Sequence, residues 1–303
     1  TNEGALSTSY QTKSPLSIHS TLASTRGDMC SFIPFERGSK IPLSPSQNEK
    51  NMVPISVQLY SLRQASEESF DAVLSELARI GYAGVEPFNL FGKSPQAFAT
   101  QVADLGMRVS STHFPWVNRA ENIQQVIDTV QALGLSRAPG GFMPADFKDR
   151  AALDATIKTT QQYVDALKPH GITLFLHNHW WEFAEIDGDL AYHHLQASVP
   201  EVEFELDTYW AANFGACDPA AELSRINDRT PLLHIKDGPL IHGESHVALG
   251  QGKMNIQAIF DAADDDVFEW AVVELDACDT DMMTAVAESY TYLTTNNLAQ
   301  GNV

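Results

Sequence analysis

From residue 53 onward, eight short apolar runs alternate with segments of helical periodicity, and this alternation confines the chain to a small group of folds. The runs are 53–59, 83–86, 107–113, 135–139, 172–178, 202–207, 231–236 and 270–275. Strand-length apolar runs separated by helix-length segments are the pattern of parallel βα units, in which helices cover the sheet. Phe70, Val73, Leu74, Leu77 and Ile80 recur at three- and four-residue spacing, as do Ile123, Val126, Ile127, Val130 and Leu133. Each set makes one apolar stripe on a helix. Gly81, Gly106, Gly134 and Gly171 each follow such a segment, where a left-handed cap commonly ends a helix. A doubly wound open sheet and a barrel both use this plan. Eight strands favour a (β/α)8 TIM barrel, and no GxGxxG follows the first strand to support a dinucleotide fold.

The repeat does not extend to the N-terminus. Residues 1–51 are rich in Ser and Thr, are broken by Pro15, Pro34, Pro42 and Pro45, and show no periodicity. They are expected to be an irregular or disordered extension without a catalytic part, or a segment that docks through Phe32, Ile33 and Phe35. Met52 opens the first strand run, MVPISVQLYSLR, so residues 52–303 are taken as the catalytic barrel. That length suits a fold of roughly 250 residues. With 44% hydrophobic and 19% charged residues the chain can bury a sizeable core.

Charge narrows the function. The net charge is −20; residues 1–51 hold five basic and four acidic side chains, which leaves −21 for the rest. Such a surface repels phosphate backbones, so nucleic acid is a poor partner. The acidity reads as a solvated surface, and Asp264-Asp265-Asp266 as an exposed loop. No apolar stretch approaches the roughly 20 residues of a membrane span and no secretory signal is evident, so a cytoplasmic location is the expectation. Cys30, Cys217 and Cys278 are odd in number and far apart, which supports neither disulfides nor a thiolate metal site. A homo-oligomer is compatible with the sequence.

In a parallel barrel the site lies at the C-terminal ends of the strands. Those positions are Gln58, Glu86, His113, Pro139, His177 with His179, Asp207, His234 with Lys236, and Glu274. Polar residues concentrated at one end of otherwise apolar strands suggest a shared site. His177, Asp207, His234 and Glu274 offer two imidazoles and two carboxylates, a set suited to one divalent ion: Mn²⁺, Mg²⁺, Co²⁺ or Zn²⁺.

The chain resembles the xylose isomerase-like TIM barrels grouped as sugar phosphate isomerases and epimerases. The resemblance spans residues 52–297 and rests on ISVQLYSLR, GYAGVEPF, HNHWWEF, ELDTYWA, HIKDG, LGQGKMN and VVELD, in that order. It implies a Glu, Asp, His, Glu metal set from the fifth to eighth strands. Asp207, His234 and Glu274 match it, whereas His177 stands where the first Glu belongs. The resemblance also implies two glutamates acting as opposed acid and base. With one of them replaced, Glu182 is expected as an added ligand or as the substitute acid/base, and His179 as an alternative ligand.

The chemistry so implied is proton abstraction beside a sugar carbonyl, with an enediolate stabilised by the metal. Glu182 and Glu274 are the expected proton-handling groups, then His113, with Lys236 as an oxyanion partner. Glu86, Asn178, His179, Trp116 and Trp210 are the expected substrate contacts. Phe88, Phe114, Trp180, Trp181 and Tyr209 crowd the same loops, where aromatic rings could pack on sugar C–H faces. No cluster of Arg and Lys marks a phosphate site, so an unphosphorylated sugar or glycoside is expected. Isomerase or epimerase is the first reading. A lyase or hydratase acting on a keto-sugar or 3-keto glycoside is nearly level, because elimination needs only one base. An endonuclease would need a basic groove, and a sugar-binding relic would have lost its metal ligands.

Overall fold

The computed structural model describes residues 52–302, and the expectations for residues 1–51, including Cys30, lie outside the described residues. Eight parallel strands carry the fold: β1 (Val53–Gln58), β2 (Gly84–Glu86), β3 (Arg108–Val109), β4 (Arg137–Gly140), β5 (Thr173–His177), β6 (Glu203–Asp207), β7 (Leu232–Ile235) and β8 (Trp270–Val273). Helices fill the connections, beginning with α1 (Arg63–Ile80), α2 (Pro95–Asp104), α3 (Ile123–Ala132) and α4 (Arg150–Leu167). The hydrogen-bonded order is β3-β2-β1-β8-β7-β6-β5-β4, so the first and last strands in sequence are neighbours, as barrel closure demands.

The expected stripes face the sheet. Phe70, Val73, Leu74 and Leu77 of α1 and Val126, Ile127 and Val130 of α3 are buried. Ser94, Asn122 and Asp149 cap α2, α3 and α4 by accepting from backbone amides. Gly81 ends α1 at φ +113°, and a Cβ there would lie 2.5 Å from the Tyr290 hydroxyl, so both the conformation and the close approach require glycine.

One strand is much shorter than its apolar run. The third was expected over 107–113, yet its ladder covers only Arg108–Val109, and no ladder joins β3 to β4 among the described residues. Pro139, in the middle of β4, has no N–H to offer, and its carbonyl accepts instead from Val117 N at 2.9 Å. Ser110 and His113 still bond back toward the second strand through Val85 O and Pro87 O, which keeps His113 at the barrel mouth.

Apolar packing separates into two clusters. The larger lies between sheet and helices; the smaller, Ala83, Phe175, Leu232, Trp270 and Val272, is built chiefly on one face of β5, β7 and β8. Strand side chains alternate in direction, so the residue two positions after each member shares its face. This places His177 above Phe175, His234 above Leu232 and Glu274 above Val272. An apolar floor thus underlies a polar layer. Among the described residues, no helix is long and apolar enough to cross a membrane, and Cys217 and Cys278 are unpaired.

Candidate active site

Parallel register sets the strand-end side chains at one level: His177 pairs with Glu205, Asp207 with His234, and His234 with Val272. One donor atom from each of His177, Asp207, His234 and Glu274 lies within 4.8 Å of the others. His234 Nδ1 is 2.7 Å from Glu274 Oε2 and 3.9 Å from Asp207 Oδ2, and His177 Nε2 is 4.0 Å from Asp207 Oδ2. Neighbouring ligands on an octahedral ion stand about 3 Å apart and opposed ones about 4 Å for bonds near 2.1 Å, the same scale.

The opposite nitrogen of each imidazole meets a second set of carboxylates. His177 Nδ1 is 3.1 Å from Glu205 Oε2; His234 Nε2 is 2.8 Å from Glu86 Oε1 and 3.3 Å from Glu205 Oε2. His113 Nε2 lies 2.5 Å from Glu205 Oε2 and 3.3 Å from Glu86 Oε1. Glu86 also accepts from Gln58 Nε2 and Ser111 Oγ. An ionised carboxylate only accepts, so the rear nitrogen of each imidazole directs N–H to Glu205 or Glu86; His234 Nδ1, 2.7 Å from the ionised Glu274, carries a second proton, which a metal ion bound there would replace. This is the arrangement in which metal-ligating histidines are commonly held. Glu205, from the sixth strand, thus lies behind His177 and forms with His113, His177 and His234 a second group of donors within 4.8 Å of one another.

A lysine completes the layer. Lys236 is 1% exposed, with Nζ 2.8 Å from Asp207 Oδ2, 2.8 Å from Glu274 Oε2 and 3.0 Å from Asp276 Oδ2. Burial works against its charge, but Asp207, Asp276 and Glu274 outweigh that and hold its pKa well above the ordinary value. Burial likewise opposes ionisation of Glu274, and Lys236 with His234 overcomes it, keeping this carboxyl well below the usual range. Burial dominates at Asp207, which is pushed up to about 6 despite Lys236. It also dominates at His177, held well below the normal imidazole range. His234 is driven well above that range, against burial, by Glu205, Glu86 and Glu274.

A divalent ion suits these residues. Five carboxylates (Glu86, Glu205, Asp207, Glu274, Asp276) converge on one lysine and three imidazoles. Oε1 of the fully buried Glu205 has no hydrogen-bond partner among the described residues. Carboxylate in excess of fixed cations, buried, is a setting in which a bound cation offsets a large desolvation cost.

Above the cluster opens a cavity of about 550 Å³ lined by Tyr60, Phe88, His113, Phe114, Pro115, Trp116, Arg119, His177, His179, Lys236, Glu274 and Asp276. It contains six of the expected site residues: His113, Trp116, His177, His179, Lys236 and Glu274. Asp207 and His234 lie beneath, both fully buried.

Four expected residues fall elsewhere. Glu86 is fully buried behind His234, outside the cavity lining. Asn178 follows the strand alternation away from the mouth and clasps β6, accepting from Asp207 N at 3.0 Å and donating to its carbonyl at 3.1 Å. Trp210 packs with Lys236 Nζ 5.3 Å from its ring centre, outside the cavity wall. Glu182 is buried outside the cavity lining and accepts from His179 N at 3.0 Å, and burial pushes its carboxyl well above the carboxylate range. Of the crowded aromatics, Phe88 and Phe114 reach the cavity, whereas Trp180, Trp181 and Tyr209 do not.

Glu205, Asp276 and Tyr60 are site residues that the strand-end reading passed over. Glu205 lies two positions before Asp207 on β6 and shares its face, whereas Tyr60 and Asp276 lie in the loops just after β1 and β8.

The fold defines a (β/α)8 barrel with an ionisable cluster at the C-terminal ends of its strands. The model of the xylose isomerase-like TIM barrel family matches residues 74–294, and the chain belongs to that family. Among solved structures, a sugar phosphate isomerase/epimerase from Parabacteroides distasonis is 22% identical, covers 86% of this chain and 100% of its own, and has a TM-score of 0.69. The probable 3-DHS dehydratase AsbF from Bacillus anthracis is 14% identical over 80% of this chain and 98% of its own, with a TM-score of 0.61. A xylose isomerase-like TIM barrel protein from Mycobacterium smegmatis, in complex with magnesium, is 18% identical over 82% of this chain and 98% of its own, with a TM-score of 0.58. At these identities the likeness concerns the fold. No curated protein sequence matches.

Proposed function

We propose that this chain is an enzyme that removes the proton beside the carbonyl of a sugar or sugar derivative at a divalent-metal site formed by His177, Asp207, His234 and Glu274. The observation that carries the reading is the meeting of these four donors, from four strands, under an open cavity, with Glu86 and Glu205 orienting both imidazoles. Two imidazoles with two carboxylates suit Mn²⁺, Co²⁺ or Zn²⁺, and Mg²⁺ remains compatible with the carboxylates. When bound, the ion would polarise the substrate carbonyl and lower the cost of the enediolate.

Glu274 is the proton acceptor. It lines the cavity and is held ionised by Lys236 and His234 against the penalty of burial. Lys236, 2.8 Å from it, is placed to neutralise the developing oxyanion or to return a proton. Burial keeps His179 neutral, its pKa lowered to about 3, so it accepts or donates a hydrogen bond without adding charge.

The carboxylates lining the cavity, Glu274 and Asp276, both follow β8, and Glu182 is turned away. Epimerisation at one carbon needs proton handling on both faces of the sugar. Chemistry on one face, either isomerisation through a shared enediol or elimination, needs one base. The geometry therefore favours isomerase or lyase over a two-carboxylate epimerase. That solved folds of this type include a sugar phosphate isomerase/epimerase and a probable dehydratase is consistent with either outcome.

Incubating the Mn²⁺-loaded protein with sugars, keto-sugars and 3-keto glycosides in D₂O tests the reading. Solvent deuterium at the carbon beside the carbonyl, or loss of water or aglycone, is expected with wild type and is absent in Glu274→Gln. No exchange and no elimination with any member would refute it.

A further inference from the structure

The cavity is divided by the order of the strands. Its aromatic residues, Tyr60, Phe88, Phe114 and Trp116, follow β1, β2 and β3, whereas His177, His179, Lys236, Glu274 and Asp276 follow or end β5, β7 and β8. Strands 1–3 are contiguous in the sheet and so are strands 5–8, so the mouth has an aromatic half, which also carries His113 and Arg119 after β3, and an ionic half rich in carboxylate. The chemistry assigned above uses the ionic half only.

We infer that the aromatic half is a binding site for a flat, apolar aglycone, and that the substrate is an aryl glycoside of a keto-sugar rather than a free sugar. The inference rests on the proposed chemistry and adds the class of substrate. Space comes first. At no more than a water's share of about 30 Å³ per heavy atom, the twelve heavy atoms of a hexose take at most roughly two thirds of the cavity. The cavity measures about 550 Å³. The remainder lies where the walls are rings.

Those rings are arranged to meet a planar group. Tyr60 and Phe88 stand edge to face, centres 5.3 Å apart at 89°, and Tyr60 is 38% exposed, so aromatic surface is open to the cavity. Arg63 stacks its guanidinium 4.1 Å from the Tyr60 centroid while donating to Asp276 O at 2.9 Å, which ties this ring to the ionic half. Trp116 lies against Gly141, where a Cβ would come within 2.3 Å of the indole, and packs 4.7 Å from His113. Glycine at that contact leaves room for the indole against the backbone, and Arg119 stands 5.5 Å from the ring centre. By contrast Trp180, Trp181, Tyr209 and Trp210 pack on one another or on neighbouring rings outside the cavity. Aromatic edges and faces pair favourably with another aromatic ring, whereas a sugar offers them only its C–H faces.

The measurement compares methyl and phenyl 3-keto-glucopyranosides binding to the Mn²⁺-loaded protein by calorimetry, with Trp116→Ala, Phe88→Ala and Gly141→Ala alongside. Phenyl is expected to bind at least tenfold tighter than methyl in wild type. That ratio should fall toward one in Trp116→Ala and Phe88→Ala, and at least threefold in Gly141→Ala, where the indole is displaced. Mn²⁺ affinity, measured on the same samples, reports whether each variant is folded around its site. Equal affinities for the two glycosides in wild type, or a ratio unmoved by all three variants, would overturn the inference. Deuterium exchange into free keto-sugars with no aryl preference sinks it while leaving the proposed chemistry intact; absence of exchange and elimination with every compound removes both.

Discussion

Replacing Lys236 by methionine gives the sharpest view of the charge balance in the site. The ammonium touches Asp207, Glu274 and Asp276 at 2.8, 2.8 and 3.0 Å. Methionine keeps the apolar stem and removes the charge. Two opposite consequences follow. Without metal, buried carboxylates lose their cation, and breaking a buried pair from one side costs about 3–5 kcal/mol. At about 2–4 °C per kcal/mol for a domain of this size, the melting temperature in EDTA should drop by about 6–20 °C. With metal, the sign reverses, because wild-type Lys236 occupies Asp207 and Glu274, two of the four donors that the ion needs. A unit charge about 4 Å from another is worth about 4 kcal/mol at an effective dielectric of 20. Lys236 can retreat toward Asp276, which stays its partner, so only part of that repulsion is felt. An Mn²⁺ affinity about tenfold to a hundredfold tighter is expected in Lys236→Met, or roughly 1.4–3 kcal/mol. Calorimetric titration and melting with and without Mn²⁺ measure both effects, while turnover falls because the oxyanion partner is lost. A variant that binds Mn²⁺ no better than wild type, or that melts unchanged in EDTA, refutes the shared-carboxylate argument.

Glu205→Gln removes the negative charge behind His177 and His113 and replaces one accepting oxygen by an NH₂ donor while keeping volume, and Mn²⁺ affinity should fall about tenfold to a hundredfold, read by the same titration. His246 gives a pH test away from the metal ligands. Its Nδ1 accepts from Asp276 N at 3.0 Å, which requires a neutral ring, and burial followed by Lys236 lowers its pKa to about 4. Between pH 4 and 6.5 the unfolded chain therefore binds the proton that the folded one refuses, and this contribution to stability is present above pH 6.5 and lost as pH falls. It amounts to about 3 kcal/mol. His246→Gln, which retains an acceptor, should flatten the pH dependence of urea unfolding by that amount between pH 6.5 and 4; an unchanged slope contradicts it.

The fold was legible because each strand declared itself by an apolar run and each of the first four helices by a closing glycine. The convergence of His177, Asp207, His234 and Glu274 was legible because a parallel barrel gathers strand ends, so the four could be read one strand at a time. Glu205 was not. It sits inside VEFELD, where Glu203, Glu205 and Asp207 alternate with Val202, Phe204 and Leu206 and imitate a strand with a solvent face. In a closed parallel barrel no such face exists, and that conflict was the available signal. Glu203 meets Arg137 near the start of the strands, whereas Glu205 is sealed among imidazoles. Glu182 was harder to place from the sequence for a related reason. The HNHWWEF segment leaves the strand after His177, and direction along an irregular loop cannot be read from alternation.

The most direct test of the central claim is anomalous scattering from crystals grown with Mn²⁺. The account predicts one strong peak per chain, within about 2–2.3 Å of His177, Asp207, His234 and Glu274 donors, and no peak at that position in His234→Ala crystals. A manganese peak elsewhere, or a bare quartet at saturating Mn²⁺ in solution and crystal alike, would contradict it.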